Sequence, residues 1–171
     1  MEKLQEFERY AISLSSDALA QLDDDTLTDV LRSRVFHHAE HQYGFDFTKA
    51  AEEMSVPLRT AFVLFSFDAE IQNGGLDQFF FNSTSELAPY VQEALTAVSA
   101  HPYAELFAGA CAERGINPSD PSTYDAEDSD EDEENNACSF EEFDDAYYAL
   151  YEVQPLEPMI TQYARAHLNE F

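Results

Sequence analysis

Three histidines fall close together, at positions 37, 38 and 41. On a helix, His37 and His41 stand at i and i+4, the spacing with which two imidazoles share a zinc ion. The H-E-x-x-H order of a zinc protease is absent and no third ligand is apparent. Surface or half-buried histidines that serve packing are therefore the competing reading. Carboxylate pairs such as Asp68 with Glu70, or Glu141 with Glu142, are of the kind acid–base catalysis uses. With 35 Asp and Glu in 171 residues, however, such pairs arise by chance and single out no site. The run D-A-E-D-S-D-E-D-E-E, Asp125 to Glu134, holds the densest acid. A calcium loop beginning at Asp128 needs Gly at its sixth position and Glu at its twelfth. Those positions hold Glu133 and Ser139, so the motif fails. Diffuse cation binding, a solvated charge run and electrostatic docking to a basic partner stay open for it. Cys111 and Cys138 lack metal-ligand spacing and read as free, reduced thiols. No nucleophile elbow, phosphate loop or dinucleotide fingerprint exists. The expectation is a protein that is not an enzyme and carries no cofactor.

Charge narrows the function classes further. Eight Lys and Arg face the 35 acids, for a formal net charge of -27. That much like charge repels itself in the compact state. It also exceeds the magnitude of about 2–8 that solubility asks of a small domain. A cationic partner, a saline habitat or metal binding would each account for it. Direct nucleic-acid binding is excluded as an expectation, because such affinity rests on cationic contacts to phosphate. Crowded carboxylates are expected to have raised pKa values in the fold, except where Arg32, Arg34 or Arg59 pairs with them. The acid does not imply disorder: aromatics make up 13% of the chain, with 14 Phe and 9 Tyr. The N-terminal M-E-K-L-Q-E-F-E-R-Y has no apolar run after a basic start, and no stretch reaches about 18 apolar residues. A cytoplasmic protein with no membrane span is expected.

The elements that must position these residues read as helices. Leu4, Phe7, Ala11 and Leu14 fall at helical spacing over 2–14. Asp23, Asp24 and Asp25 precede a second helix carrying Leu27, Val30, Leu31, Val35 and Ala39, with Asp25 as the expected N-cap. A short helix is expected over 48–54. The apolar run 57–72 predicts a buried helix, stopped by Gly74 and Gly75, with a turn or short helix over 76–81. Further helices are expected over 86–100, from Pro102 to Gly115, from a capping box at Ser139–Glu142, and from about 155 to 168. The fold class expected is all-α: one compact multi-helix domain spanning 1–171, with an acidic loop before the last two helices.

The most specific local signal is N-G-G-L-D-Q-F-F-F-N, Asn73 to Asn82. Its residues suit a structural role: glycines for tight backbone geometry, phenylalanines for the core, and Gln78 and Asn82 to satisfy backbone groups. A ligand-binding role for Asn73, Gln78 and Asn82 stays open beside it.

Together with the preceding apolar A-F-V-L-F-S-F-D-A-E-I-Q, this segment resembles a bacterial domain family of formally unknown function with an N-G-G-x-x-Q-F-F-x-N core. Asn73, Gly74, Gly75, Gln78, Phe79, Phe80 and Asn82 match. The acidity, size and helix order of the whole chain look like the DNA-mimic members of that family. The resemblance implies an all-helical acidic fold that occupies the DNA-binding face of a helix-turn-helix transcriptional repressor and prevents operator binding. It brings no catalytic residues. Acids three or four apart on a helix are about 4.5–6 Å apart along its axis, and duplex DNA carries one charge per about 1.7 Å. Several acidic rows side by side would therefore approximate a phosphate array. The candidate rows are Asp23, Asp24, Asp25 and Asp29, then Glu141, Glu142, Asp144 and Asp145, with Asp125, Glu127, Asp128, Asp130, Glu131, Asp132, Glu133 and Glu134 alongside. The expected partner is a helix-turn-helix transcription factor with a basic surface, and the oligomeric state, monomer or dimer, is open. The alternatives are a metal-binding or enzymatic acidic domain using His37 and His41, and an acidic globular protein without mimicry.

Overall fold

A computed structural model describes residues 2–124 and 140–171. All regular structure among them is helical. In chain order the elements are α1 (Glu2–Ser13), α2 (Ser16–Leu19), α3 (Asp24–Tyr43), α4 (Phe47–Glu53), α5 (Val56–Phe81), α6 (Ala88–Ala97), α7 (His101–Arg114), α8 (Glu141–Val153) and α9 (Leu156–Arg165), with short 3-10 turns at Ser83–Leu87, Pro121–Thr123 and Leu168–Glu170. The all-α expectation holds. The expected acidic loop, and Ser139 of the expected capping box, lie outside the described residues. No described helix is long and apolar enough to cross a membrane.

Local chemistry sets most of the helix ends. Asp23, not Asp25, caps α3: its carboxylate accepts from Thr26 N at 2.9 Å and Thr26 Oγ1 at 2.8 Å. Asp24 and Asp25 fall in the first turn instead. There negative charge opposes the positive end of the helix dipole. Gly115 ends α7 in the left-handed region, as its position after the last apolar residue predicts. Helix α6 is shorter than the sequence suggests, because Ser83–Leu87 forms a 3-10 turn ahead of it. Phe140 occupies the N-cap position of α8 and makes no side-chain cap bond.

The main departure is α5. Gly74 and Gly75 do not stop it. The helix runs on to Phe81 with a kink at the two glycines, where Gly75 has φ 74° and ψ −169°. The helix therefore has an almost wholly buried first half, Leu58 to Asp68, and a second half that sends Leu76, Phe79 and Phe80 into the core.

Neighbouring helices register on α5. Phe67 meets the edges of Phe79 at 5.1 Å, Phe107 at 5.5 Å and Tyr147 at 6.0 Å. Such T-shaped pairs add about 0.5–1.5 kcal/mol each beyond area burial. Arg32 of α3 lies over Phe65 and Phe36 of α3 meets Phe62, so α3 runs antiparallel to α5. A ladder of side chains joins α3 to α9: Asp24 with Arg165, Thr28 with Thr161 at 2.6 Å, and Arg32 with Glu157. The rungs advance by four on one helix as they retreat by four on the other, so α9 is antiparallel to α3.

One carboxylate is deep in this packing. Asp68 is 5% exposed and accepts a 2.7 Å bond from Tyr147 Oη. Burial raises its pKa above the ordinary carboxylate value, against the opposing hydrogen bonds of Tyr147 and Gln72. A folded pKa above the unfolded one means the ionised form is disfavoured in the fold. The penalty applies above the folded pKa and is withdrawn as pH falls through it. Asp68→Asn keeps an acceptor for Tyr147 and removes the buried charge. It should therefore raise the melting temperature at pH 7 and flatten the gain in stability expected on mild acidification. Each pKa unit is worth about 1.4 kcal/mol, and about 1 kcal/mol moves Tm by roughly 2–4 °C at this size. Thermal melts of both proteins between pH 7 and pH 5 test this, and a variant that melts lower at pH 7 contradicts it.

Candidate functional site

The kink of α5 is held from two sides. Downstream, the Asp144 carboxylate of α8 accepts the Leu76 backbone N–H at 3.0 Å, acting as a cap for the second half of the helix. Upstream, Tyr148 Oη donates to the Ile71 carbonyl at 2.7 Å. Within α5 and the following turn, Glu70 gathers three donors: Gln78 Nε2 at 2.6 Å, Asn82 Nδ2 at 2.9 Å and Thr84 Oγ1 at 2.9 Å. Asn73 Nδ2 closes the ring onto Gln78 Oε1 at 2.9 Å. The side-chain amides of Asn73, Gln78 and Asn82 are thus linked to one another and to Glu70. That is the structural role, and Glu70 is its hub. The sequence paired Glu70 with Asp68, but residues two apart on a helix face different ways. One serves the kink and the other the core.

The same contacts fix the direction of α8. Asp144 meets α5 at Leu76, Tyr148 at Ile71 and Tyr147 at Asp68, so α8 also runs antiparallel to α5. Helices α3 and α8 are therefore parallel. Two turns back from Arg32 on α3 is Asp24; two turns on from Phe65 on α5 is Asn73, beside the kink. Both α3 and α8 thus begin at the kinked end of the bundle. The first acidic set, Asp23, Asp24, Asp25 and Asp29, and the second, Glu141, Glu142, Asp144 and Asp145, belong to one end of the molecule. Asp77 of α5 joins them there, exposed.

The third set, Asp125 to Glu134, lies outside the described residues. Its flanks do not. Tyr124 and Phe140, the described residues on either side of it, both pack on Phe80, at 5.1 Å and 5.8 Å.

Not every acid there is available to a partner. Asp144 is half-buried and committed to Leu76; burial raises its pKa, with the charges of Asp77 and Asp145 adding to the rise. Asp23 is committed to capping, and its bonds to Thr26 hold its pKa below the ordinary value. Asp24 pairs with Arg165 at 2.6 Å. Asp25, Asp29, Glu142 and Asp145 are exposed. Crowding by like charge, the expected cause of raised carboxylate pKa values, is secondary to burial at both Asp68 and Asp144.

Most of the arginines also make contacts within the fold, and Arg9 is exposed. Arg34 donates to the Leu14 carbonyl, Arg59 to the Ala51 carbonyl, and Arg165 to the Leu22 carbonyl as well as Asp24. Arg32 pairs with Glu157, and Arg114 lies over Phe140.

His37 and His41 both engage their Nδ1 atoms within the protein. His37 Nδ1 is 2.8 Å from Glu8, and His41 stacks on His37 and bonds to its carbonyl. Among the described residues no three His, Cys, Asp or Glu side chains converge as metal ligands would. Cys111 is buried, and burial pushes its thiol up to about 12. At neutral pH it is a protonated thiol, not a thiolate nucleophile.

No curated protein and no solved structure matches the chain. A family model does, over residues 52–167, from the last residues of α4 through α9 and including the kink and both of its supports. The chain belongs to the DMP19-like protein family.

Proposed function

We propose that this protein is a DNA mimic. Its acidic end occupies the basic, DNA-contacting surface of a helix-turn-helix transcriptional repressor and keeps the operator out. One observation carries the reading: two parallel helices begin, acids first, at the same end of the bundle. The family membership and the net charge of -27 support it. Acids in a first turn also stabilise their own helix. That local role accounts for Asp23, Asp24, Asp25 and Glu142, but not for exposed Asp29 and Asp145.

In this reading the protein has no catalytic role, and its effect is exclusion. One surface of the repressor cannot hold both operator and mimic, so binding relieves repression. Attraction of this kind is screened within about 8 Å at physiological ionic strength. The reading is tested by size-exclusion chromatography with a co-encoded helix-turn-helix regulator. Co-elution at low salt that is lost as salt rises supports it. Separate elution at every salt concentration, with every candidate regulator, leaves an acidic domain without mimicry.

A further inference from the structure

A cleft of about 430 Å³ opens between α1 and α3, with Asp29 of the acidic end at one edge. Its volume is within the 300–1,000 Å³ of small-molecule sites. Three carboxylates line it without converging. Asp29 and Glu40 stand on α3 about 16 Å apart along the helix axis, and Glu8 faces them from α1, beside His37 at 2.8 Å. Between the two ends lie Phe7 and Phe36, both half-buried. Arg32 also borders the cleft, but its guanidinium is paired with Glu157 and turned onto the Phe65 ring.

We infer that this cleft binds a linear polyamine. Carboxylates set this far apart cannot share a metal ion, and a compact cation would meet one and leave the others unpaired. A chain of ammonium groups spaced by methylenes meets Asp29, Glu8 and Glu40 in turn. Its methylenes lie over Phe7 and Phe36, whose ring faces also attract an ammonium. The inference shares Asp29 with the mimic reading but needs no protein partner, and its decisive substitutions, at Glu8 and Glu40, touch no residue of the acidic end.

The test is calorimetric titration of the full chain with spermidine at low ionic strength. A surface this acidic attracts any polycation diffusely, so the variants must separate shape from charge. One saturable site is expected. Glu8→Gln with Glu40→Gln should weaken it about tenfold, whereas Glu105→Gln with Glu152→Gln, equal in charge but remote, should change it less than about twofold. Ser33→Leu, which fills the cleft without altering charge, should abolish the site. Equal losses from the near and remote pairs, or full binding by a folded Ser33→Leu variant, would overturn the inference in favour of diffuse attraction. A short Lys/Arg peptide that binds the cleft more tightly than spermidine would overturn the polyamine assignment. If Ser33→Leu does not fold, as circular dichroism would reveal, the two Gln pairs decide the matter.

Discussion

Gly75→Ala should destabilise the protein by about 3 kcal/mol and lower its melting temperature by roughly 6–12 °C. Two costs combine. Gly75 sits at φ 74° and ψ −169°, a region that essentially only glycine occupies and that costs other residues about 1–3 kcal/mol. A Cβ there would also lie 2.1 Å from Asp144 Oδ2 and 2.7 Å from its Cγ. The carboxylate would have to withdraw, and the cap on Leu76 that it provides is worth about 1 kcal/mol. The neighbouring glycine supplies the control. Gly74 has φ −165°, ordinary extended backbone, and its added Cβ meets chiefly the flexible end of Gln78. Gly74→Ala should therefore cost about 1 kcal/mol, much of it from disturbing the Gln78 amide, whose bonds are worth about that. Thermal unfolding followed by circular dichroism separates the two, and equal losses at both positions would mean that the kink is not held by Asp144.

The second large effect concerns binding. Reversing Asp25, Asp29, Glu142 and Asp145 to lysine should weaken association with the partner about 100-fold at low salt, mostly through the association rate. These four are chosen because they are exposed, and because none is a helix cap, the Leu76 acceptor or the Arg165 partner. Reversing Glu52, Glu53, Glu105 and Glu152 changes net charge by the same amount on elements near the opposite end. That set should cost far less, since at moderate salt only charges within about a Debye length of the contact act. Surface-plasmon kinetics on both sets give the answer. If the two sets behave alike, net charge alone governs binding and the acidic end has no special part.

Much of this architecture is legible in the sequence because it is local. The spacing of Leu4, Phe7, Ala11 and Leu14, Pro102 near the start of α7 and Gly115 at its end each announce a helix within a few residues. The kink is not legible, because its cause is remote. Two consecutive glycines read as a stop, and the side chain that caps the resumed helix, Asp144, is 68 positions away. The N-cap of α3 was ambiguous for another reason. Three aspartates in a row each suit the role, and only the bonds from Thr26 to Asp23 decide among them. Asp68 looked like one acid among many, since nothing around it in sequence signals the tyrosine from α8 that bonds it. The acidic rows could be named from sequence, but their common end could not, because it follows from the antiparallel register of α3 and α8 on α5.

The central claim is that the acidic end and the operator compete for one surface of the regulator. The direct measurement is fluorescence anisotropy of a labelled operator duplex bound to a helix-turn-helix regulator at low salt, titrated with this protein. The account predicts a fall to the value of free duplex as the protein approaches one equivalent per operator-binding site, and no fall with the Asp25, Asp29, Glu142 and Asp145 lysine variant. A regulator that binds this protein while keeping its operator, seen as anisotropy that stays constant or rises, would contradict it.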